Sequence, residues 1–556
     1  MGDSNPIIPG FAPDPSVVRI DDTFYLINSS FHIFPGLPIF ASKDLLSWKH
    51  ISNAINRPSQ LSLSTATTRL HHLDGPPSDV IVETGGLWAP TIRHHRGRTY
   101  VICTNVCHVD PELKPGEELH PSETVETKNF IIFTDDILSG NWSDPVYVDF
   151  WGIDPDLFFD DDGRVFIAGC LWSRDLKEEP TIHGIEININ TGEHLAPPRL
   201  MWTGSSKITP EGPHIYKRDG WYYLLIAEGG TFEGHQLSAA RSRDLWGPYE
   251  DCPNNPVLAP SPGSSGYKYI QHNGHGDLVR DTQGNWWLVC LAVRKDQQGR
   301  FGMGRETFLT PVQWPTGDSW PVIQQPIESF PATGKQDNIP DRSNPTVDLV
   351  YLRDPDLRAY QISDDAQQVT IRASSTDLSE PSAAVSFLGR RQRSLNGGDT
   401  AVLIVDPVKS SSSVIAGLAY FKDEHRYARV FYDFSDLSIY FEVKNAGRAK
   451  AISNRVQVFS LKEMRNPTDA FSIYFRLMYS ESGLDFTYMI EGHGAGDTDL
   501  NSAGNIDILD LTDRDFTGPC VGVFATNNKG DATYECTFKD ISICVKQSFD
   551  YYPKPL

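Results

Sequence analysis

One short pattern recurs five times in the first 300 or so residues and constrains the fold more than any other feature. In each copy a tight turn leads directly into aromatic or β-branched residues. The copies are Asp22-Thr23-Phe24-Tyr25, Gly97-Arg98-Thr99-Tyr100, Gly163-Arg164-Val165-Phe166, Gly220-Trp221-Tyr222-Tyr223 and Gly284-Asn285-Trp286-Trp287. They follow one another at intervals of 57 to 75 residues, and each predicts a hairpin turn that enters a strand. Five such units predict an all-β fold with a five-bladed β-propeller.

The repeat also predicts which side chains meet. The first strand of each propeller blade lines the central axis, so equivalent positions on the five first strands converge there. Eight or nine residues before each turn stand Asp14, Trp88, Asp154, Glu211 and His275. The sequence therefore predicts one axial pocket that holds three carboxylates, an indole and an imidazole, provided that no strand is shifted by one residue.

Three carboxylates at one axis have two chemical interpretations. Taken singly, Asp14, Asp154 and Glu211 each stand beside proline or glycine and could be turn residues. Taken together, they could bind calcium, whose preferred ligands are carboxylate oxygens. They could also perform acid/base hydrolysis of a glycoside, in which one acid is ionised, one is neutral, and a third raises the pKa of the neutral one by like-charge repulsion.

Aromatic side chains near these positions could stack on a sugar. Phe31 and Trp88 are the candidates for the pocket wall, whereas Trp221 is expected to pack in the core.

The charge of the chain excludes some partners. The 556 residues carry a formal net charge of −23, and the isoelectric point is about 5.1. A nucleic-acid-binding protein needs a basic face, and an anionic membrane attracts basic segments, so neither is an expected partner. No run of about 18 apolar residues is present, which argues against a membrane span. A neutral small ligand or polymer remains compatible with this charge.

The N-terminus and the cysteines bear on the compartment. The segment Met1-Gly2-Asp3-Ser4-Asn5-Pro6 lacks the features of a signal peptide, so we expect an intracellular protein, with a secreted mature form as the alternative. The eight cysteines contain no CxxC pair, and most are expected to be buried thiols. The sequence leaves both a monomer and a homo-oligomer open.

The second part of the chain has a different rhythm. Turns typical of the propeller repeat become rare after Arg305. The stretch 336–346, which is rich in Asp, Asn, Pro and Ser, is predicted to be a linker. Alternating strands then resume, for example over 401–405 and 427–432, and predict a β-sandwich. The predicted domains are therefore a propeller over 1–335 and a sandwich over 347–556.

An ordered set of motifs resembles glycoside hydrolase family 43, and within it the β-xylosidases. The motifs are Asn5-Pro6-Ile7-Ile8-Pro9-Gly10-Phe11-Ala12-Pro13-Asp14-Pro15-Ser16, Ser29-Ser30-Phe31, Leu87-Trp88-Ala89-Pro90, Ile153-Asp154-Pro155-Asp156-Leu157-Phe158, Thr209-Pro210-Glu211-Gly212-Pro213-His214, Gly304-Arg305-Glu306-Thr307 and Phe387-Leu388-Gly389-Arg390-Arg391-Gln392. The resemblance covers nearly the whole chain. It implies a five-bladed propeller, an inverting mechanism and a C-terminal β-sandwich of the concanavalin A type.

The resemblance also implies roles for the axial residues. Asp14 resembles the general base that activates water, and Glu211 resembles the general acid that protonates the leaving oxygen. Asp154 resembles the residue that tunes and orients the acid. Asp156, two residues further along the same strand face, is the main rival for that third role, although both the repeat and the motif favour Asp154.

Four further residues match positions that contact substrate in the family. Phe31 and Trp88 resemble aromatics of the pocket wall, and Arg305 resembles an arginine that binds sugar hydroxyls, with a surface salt bridge as the alternative. His275 resembles the axial histidine, which in some members lies at a calcium ion. We expect no required cofactor, and a structural calcium near the axis stays open.

The leading hypothesis is an exo-acting inverting β-xylosidase that acts on xylo-oligosaccharides. An α-L-arabinofuranosidase that acts on arabinoxylan, or an enzyme with both activities, is the alternative, and a non-catalytic sugar-binding propeller is less favoured because all three acids are present. The polar stretch 108–129, predicted as a loop, and His32 after Phe31 depart from the bacterial family members. Both departures bear on substrate preference more than on the reaction.

Overall fold

The regular secondary structure of the described residues is almost entirely β-strand. The computed structural model describes residues 5–72, 80–109, 124–172, 178–260, 269–330, 344–381, 383–406, 413–447, 451–461, 470–491, 500–527 and 534–544. Two short 3-10 segments, Leu357–Ala359 and Ile508–Leu511, border the strands of the second half. The all-β class predicted from the sequence is confirmed. None of the helices in the described ranges has the length and hydrophobicity needed to cross a lipid bilayer.

Five four-stranded antiparallel sheets follow one another in the described part of the first half, and the strands of each sheet pair in chain order. The first sheet consists of β1 (Ser16–Ile20), β2 (Thr23–Ile27), β4 (Gly36–Ser42) and β5 (Lys49–Ile55), with the short β3 (Ile33–Phe34) outside it. Two further strands, β6 (Thr68–His72) and β7 (Val80–Thr84), pair with each other. The second sheet consists of β8 (Gly86–His95), β9 (Arg98–His108), β10 (Val125–Thr134) and β11 (Val146–Val148).

The remaining three sheets of this half have the same construction. The third sheet consists of β12 (Gly152–Phe159), β13 (Val165–Leu171), β14 (Thr181–Glu186) and β15 (Arg199–Trp202). The fourth consists of β16 (Glu211–Arg218), β17 (Trp221–Glu228), β18 (Gln236–Ser242) and β19 (Glu250–Asp251), and the fifth of β20 (Ile270–Arg280), β21 (Trp286–Arg294), β22 (Glu306–Gln313) and β23 (Val322–Ile323).

The first strands of the five sheets form a closed ring. Strand β1 contacts β8, β8 contacts β12, β12 contacts β16, β16 contacts β20, and β20 contacts β1 again. We refer to these five as the ring strands. Each of the five turns found in the sequence repeat is the hairpin turn between a ring strand and the second strand of its sheet, which confirms the predicted positions of the turns. Apolar side chains fill the space between neighbouring sheets, so second strands such as β21 carry nearly continuous apolar runs.

The second half forms a two-layered β-sandwich. One sheet has seven strands in the order β25 (Tyr360–Ile362), β26 (Val369–Arg372), β38 (Glu535–Ser542), β28 (Gly397–Val405), β33 (Phe471–Tyr479), β34 (Gly483–Glu491) and β35 (Asn501–Asp507). The other has six in the order β27 (Phe387–Arg391), β37 (Cys520–Thr526), β29 (Ile415–Asp423), β30 (Arg426–Asp433), β31 (Ser438–Asn445) and β32 (Ile452–Ser460). Buried and half-buried residues alternate strictly along β33, as expected for a strand with one face on the core.

Two short strands tie the sandwich to the ring half. Strand β24 (Tyr351–Leu352) pairs antiparallel with β3, and β36 (Arg514–Asp515) pairs parallel with β7. Beside β36 lies a buried charge cluster, in which the carboxylate of Asp515 accepts hydrogen bonds from Lys422 and from Arg426 (2.6 Å to Arg426 Nη1). All three side chains are fully buried. The linker predicted over 336–346 lies mostly outside the described residues.

The structure also bears on two further predictions, one for the stretch 108–129 and one for the cysteines. The polar stretch 108–129 was expected to be a loop, but its end belongs to β10, where Val125 to Asn129 pair with His108 to Thr104 of β9, and residues 110–123 lie outside the described ranges. All eight cysteines are free thiols, and seven of them are buried, as expected; Cys544 is half-buried.

The buried charge cluster predicts a large effect on stability. Replacing Asp515 by asparagine, the D515N variant, leaves Lys422 and Arg426 without their shared counter-charge in the interior, which destabilises the fold by about 3 kcal/mol. We expect the midpoint of thermal unfolding, measured by calorimetry, to fall by several degrees.

The matched control is D144N, because Asp144 is exposed and its ion pair with Arg57 lies on the surface. Such pairs contribute little, so its midpoint should stay at the wild-type value. Equal midpoints for D515N and D144N would contradict the stabilising role of the buried cluster.

Candidate active site

The five side chains predicted to converge line a single pocket at one end of the ring. Asp14, Trp88, Asp154, Glu211 and His275 all border it. Phe31 and Arg305, the two other residues predicted at the site, border it as well. The pocket is small: the centres of water-sized spheres can occupy about 50 Å³ of it.

The backbone at the pocket is irregular on four of the five ring strands, and at Asp14 just before the fifth, β1. Pairing with the second strand shifts register beside the pocket residue on β8, β12, β16 and β20. The φ angle is positive at or next to each pocket residue: Asp14 (50°), Ala89 (38°), Asp154 (55°), Gly212 (54°) and His275 (40°). Strands β8 and β20 each contain a second such residue, Gly86 (103°) and His272 (58°). Such bulges re-aim side chains, and positive φ at a non-glycine residue costs of order 1–3 kcal/mol that the surrounding structure must offset.

The sequence contains a signal for these bulges that the repeat analysis missed. Four of the five positive-φ residues at or next to a pocket residue are followed directly by proline, namely Pro15, Pro90, Pro155 and Pro213. Because proline cannot donate a ladder hydrogen bond, it is confined to edges and bulges of sheets. Proline recurs at the same place in four of the five repeats. It therefore marks the irregular backbone position in those four repeats.

Asp14 is held ionised. Its carboxylate accepts a hydrogen bond from Ser29 Oγ (2.6 Å) and a longer one from Arg305 Nη1 (3.3 Å). Burial alone would raise the pKa of Asp14, but the charge of Arg305, with help from His275 and Ser29, outweighs burial and lowers the pKa below its ordinary value.

Glu211 has the opposite environment. It is the first residue of β16 and is partly exposed to the pocket. Burial raises the pKa of Glu211 to about 7, and the negative charge of Asp14 adds to the rise. At neutral pH the site therefore holds an ionised Asp14 and a Glu211 that still carries its proton on a substantial share of the molecules. These two groups are carried by the non-adjacent ring segments of the first and fourth sheets.

The pKa of Asp154, like that of Glu211, is raised. Its Oδ2 accepts a hydrogen bond from the backbone N–H of Gly212 (3.1 Å), next to Glu211. Burial raises the pKa of Asp154 well above its ordinary value, and the charges of Glu211 and Asp14 raise it further. The expected repulsion runs the other way: the charge of Glu211 raises the pKa of Asp154, whereas the charge that raises the pKa of Glu211 is that of Asp14. Burial is the larger cause for both groups.

Asp156, the rival for the role of Asp154, does not border the pocket. It is fully buried one layer deeper on the axis, where it accepts hydrogen bonds from Arg93 Nη2 (2.7 Å) and from the backbone N–H of Ile215 (2.8 Å). The structure thus places Asp154 in the pocket, and Asp156 in its floor.

His275 stands close to two of the acids. Its Nδ1 is 3.8 Å from Asp154 Oδ2 and 4.0 Å from Asp14 Oδ1. Burial lowers the pKa of His275 to about 4, so the imidazole is neutral at neutral pH.

A calcium ion fits this donor set poorly. Within the described residues, no three or more His, Cys, Asp and Glu side chains are grouped so that they could hold a metal. The oxygens of Asp14 are already engaged by Ser29 and by the cationic Arg305, which supplies the counter-charge that a metal would bring. Asp154 in turn is occupied by the N–H of Gly212.

Arg305 is a buried pocket residue and not a surface salt-bridge partner. It is 6% exposed, and its guanidinium donates to the hydroxyl of Thr231 (2.9 Å) as well as to Asp14.

Two further residues considered in the sequence, Trp221 and His32, do not border the pocket. Trp221 packs at the outer end of the fourth sheet between Arg241 and Arg243, and His32 is fully buried against the sandwich.

The pocket wall contains one aromatic that the sequence analysis missed. Phe516 comes from the sandwich, and its ring centroid lies 5.2 Å from that of Trp88 and 6.2 Å from that of Phe31. Its carbonyl oxygen accepts a hydrogen bond from Arg305 Nη2 (3.0 Å). Phe516 directly follows Asp515 of the buried charge cluster, so that cluster anchors the segment that completes the pocket.

This arrangement is suited to acid/base hydrolysis. An ionised carboxylate can take a proton from water, and a neutral carboxyl with a raised pKa can protonate a leaving oxygen. The aromatic faces of Trp88, Phe31 and Phe516 offer apolar surface to a sugar ring, and Arg305 offers hydrogen-bond donors to hydroxyl groups.

Comparison with known proteins identifies relatives along the whole chain. A xylosidase/arabinosidase from Butyrivibrio fibrisolvens is 40% identical over 328 residues, which are 58% of this chain and 56% of that protein. The non-reducing end α-L-arabinofuranosidase BoGH43B from Bacteroides ovatus is 31% identical over 94% of this chain and 91% of its own length. The crystal structure of a xylan β-1,4-xylosidase from Bacillus halodurans C-125 matches with a TM-score of 0.78 at 26% identity, over 96% of this chain and 99% of that one.

Two family models divide the chain between them. Residues 341–543 match the β-xylosidase C-terminal concanavalin A-like domain. Residues 4–321 match the glycosyl hydrolases family 43. The chain therefore belongs to glycosyl hydrolase family 43 and is a glycoside hydrolase.

Proposed function

We propose that the protein is an exo-acting, inverting β-xylosidase that removes xylose from the non-reducing end of β-1,4-linked xylo-oligosaccharides. The observation that carries this proposal is the unequal protonation of two carboxyl groups in one small pocket. Asp14 is kept ionised by Arg305, while burial and the charge of Asp14 keep Glu211 protonated up to a pH of about 7.

In this proposal the two acids act in a single displacement. Asp14 accepts a proton from a water molecule, whose oxygen forms a bond to the anomeric carbon. Glu211 donates its proton to the glycosidic oxygen as the bond from the anomeric carbon to that oxygen breaks. The configuration at the anomeric carbon is inverted, and proton exchange with solvent restores both carboxyl groups.

The other pocket residues support that displacement. Asp154 binds the N–H beside Glu211 and so orients the acid, and its own raised pKa limits the negative charge at the site. Arg305 holds Asp14 ionised and presents donors to the sugar hydroxyls. Hydrolysis needs no metal ion in this scheme, because Arg305 supplies the positive charge next to the base.

Exo action follows from the closure of the pocket. The wall formed by Trp88 and Phe31 is completed by Phe516 of the sandwich, and so small a pocket suits one terminal sugar ring better than the interior of a polymer. We further propose that the five sheets are the blades of a five-bladed propeller over residues 1–335, and that the sandwich over 347–556 is its lid domain. Neither a monomer nor a homo-oligomer is favoured by any described contact.

Release of arabinose is the second candidate function. It is favoured by the relatives, since one is named an α-L-arabinofuranosidase and another a xylosidase/arabinosidase. Steady-state kinetics on 4-nitrophenyl β-D-xylopyranoside and 4-nitrophenyl α-L-arabinofuranoside decides between the two. A higher kcat/KM for the xyloside supports our proposal, and a higher value for the arabinofuranoside replaces it with the second candidate.

Removal of the proposed acid should separate catalysis from binding. In E211Q the amide cannot donate the proton, so kcat on xylobiose should fall by about 10²–10⁴-fold, while xylose still binds by calorimetry. The matched control is E250Q, a change at an exposed position in the same sheet that should leave kcat at the wild-type value. Near-wild-type hydrolysis of xylobiose by E211Q would refute the assignment of Glu211.

The pH dependence should follow the two pKa shifts. Because Glu211 must be protonated, kcat/KM should fall as the pH rises through about 7. Because the pKa of Asp14 is lowered, the acid limb should lie below the ordinary range of an aspartate, so activity persists into acid as long as the fold does. A basic limb that is unchanged for an aryl xyloside with a highly acidic leaving group, which needs no protonation, would contradict the assignment.

A further inference from the structure

A second layer of polar side chains crosses the axis directly beneath the pocket. Each of the five ring strands contributes at least one member, and β16 contributes two. The members are Ser16, Arg93, Asp156, His214, Tyr216 and Asp277. This layer takes no part in the proton transfers proposed above, and nothing about substrate binding requires it.

Arg93 is the centre of this layer. Its Nη2 donates to Asp156 Oδ1 (2.7 Å), and its Nη1 donates to Asp277 Oδ2 (2.8 Å). Both carboxylates are at most 1% exposed. Burial opposes their ionisation, but the charge of Arg93 outweighs burial and lowers the pKa of both. One guanidinium therefore joins the third and fifth sheets across the axis.

The two carboxylates in turn hold the backbones of their neighbouring ring strands. Asp277 Oδ2 accepts hydrogen bonds from the N–H of Val17 (3.1 Å) and from Ser16 Oγ (2.7 Å), both in β1. Asp156 Oδ2 accepts the N–H of Ile215 (2.8 Å) in β16. Strand β1 begins two residues after Asp14, and β16 begins with Glu211.

The backbones of two other ring strands, β8 and β20, are held, among the described residues, by hydroxyl groups and not by carboxylates. The N–H of Ile92 in β8 donates to the hydroxyl of Ser16 (3.1 Å), and the N–H of Leu278 in β20 donates to the hydroxyl of Tyr216 (2.8 Å). In the described part of the chain, neutral hydroxyls thus hold β8 and β20. Carboxylates bridged by Arg93 hold the two strands beside the proposed base and acid, and hydrogen bonds to ionised groups are about twice as strong as neutral ones.

We propose that Arg93, acting through Asp156 and Asp277, is a positioning residue for the hydrolysis. It fixes the strand of the general base Asp14 and the strand of the general acid Glu211 at the separation that an inverting displacement needs. The inference rests on the proposed function for the identity of the two reacting groups. A role in closing the axis alone would make Arg93 important for stability but would not tie it to the rate of the chemical step.

The test compares Arg93→Lys with wild type. Lysine keeps the positive charge but cannot bond both carboxylates with a planar fork. We expect kcat on 4-nitrophenyl β-D-xylopyranoside to fall on the order of 10–100-fold, since misplacement by about 1 Å can cost that much. KM should change by less than about threefold, and the thermal midpoint should stay close to wild type. The matched control is Arg98→Lys, a change at an exposed ion pair on the same hairpin, which should leave kcat unchanged.

A second variant covers the case in which Arg93→Lys does not fold. Asp156→Asn keeps an oxygen that can accept the N–H of Ile215 but loses the charge that engages Arg93, and we expect the same fall in kcat without a rise in KM. For either variant, wild-type kcat, or a loss that merely equals the unfolded fraction measured by circular dichroism, overturns the proposal.

A distance measured in crystal structures tests the positioning role of Arg93 independently of which glycoside the enzyme prefers. Crystal structures of wild type and of a folded variant give the distance between the carboxyl carbons of Asp14 and Glu211. A change in that distance supports the positioning role even if the best substrate proves to be an arabinoside. An unchanged distance overturns that role even if the wild type is a good xylosidase.

Discussion

The structure depends on the closure of five strands around one axis, because closure brings like charges together. Three carboxyl groups meet in a pocket with little contact to water, and such crowding is tolerated only if their environments differ. Arg305 and Ser29 compensate the charge of Asp14, whereas burial and the charge of Asp14 outweigh the effect of Arg305 on Glu211 and raise its pKa to about 7. The same geometric constraint that would destabilise three identical carboxylates thus separates them into one with a lowered pKa and two with raised pKa values, which is the difference that the proposed base and acid need.

Closure of the ring also explains the irregular backbone conformation at the pocket. Side chains on a regular strand point alternately to its two faces, but a pocket at the end of the ring needs them aimed along the axis. Bulges and positive φ values, as at Asp154 and His275, achieve this, and the layer around Arg93 holds the strands that carry this strain. Catalytic groups and the ion pairs beneath them are therefore parts of one arrangement, in which the lower layer is rigid and the upper layer faces the ligand.

Much of the site could be predicted from the sequence because the fold is repetitive. The turn repeat put Asp14, Asp154 and Glu211 at equivalent positions without any knowledge of distances, and the structure brings these three together. Phe516 could not be found in this way, since it belongs to the sandwich and reaches the pocket through a segment anchored by buried charges. Arg93 was also missed, because its role depends on which partner each of its nitrogens meets, and spacing along the chain carries no information about that. Electrostatic detail was the least predictable, as burial outweighs the expected repulsion at Glu211.

The stereochemistry of the first product tests the central claim most directly. Proton NMR can follow xylobiose in buffered D₂O with enough enzyme to outpace the interconversion of the two anomers of free xylose. The pairing of an ionised Asp14 with a Glu211 that can donate a proton predicts that α-xylose at first exceeds its equilibrium share. Direct attack by water inverts the β-linkage of the non-reducing unit, whereas the leaving unit keeps the anomeric mixture of xylobiose. An initial excess of β-xylose over its equilibrium share would show a retaining mechanism through a covalent intermediate and would contradict the assignment of Asp14 as a general base.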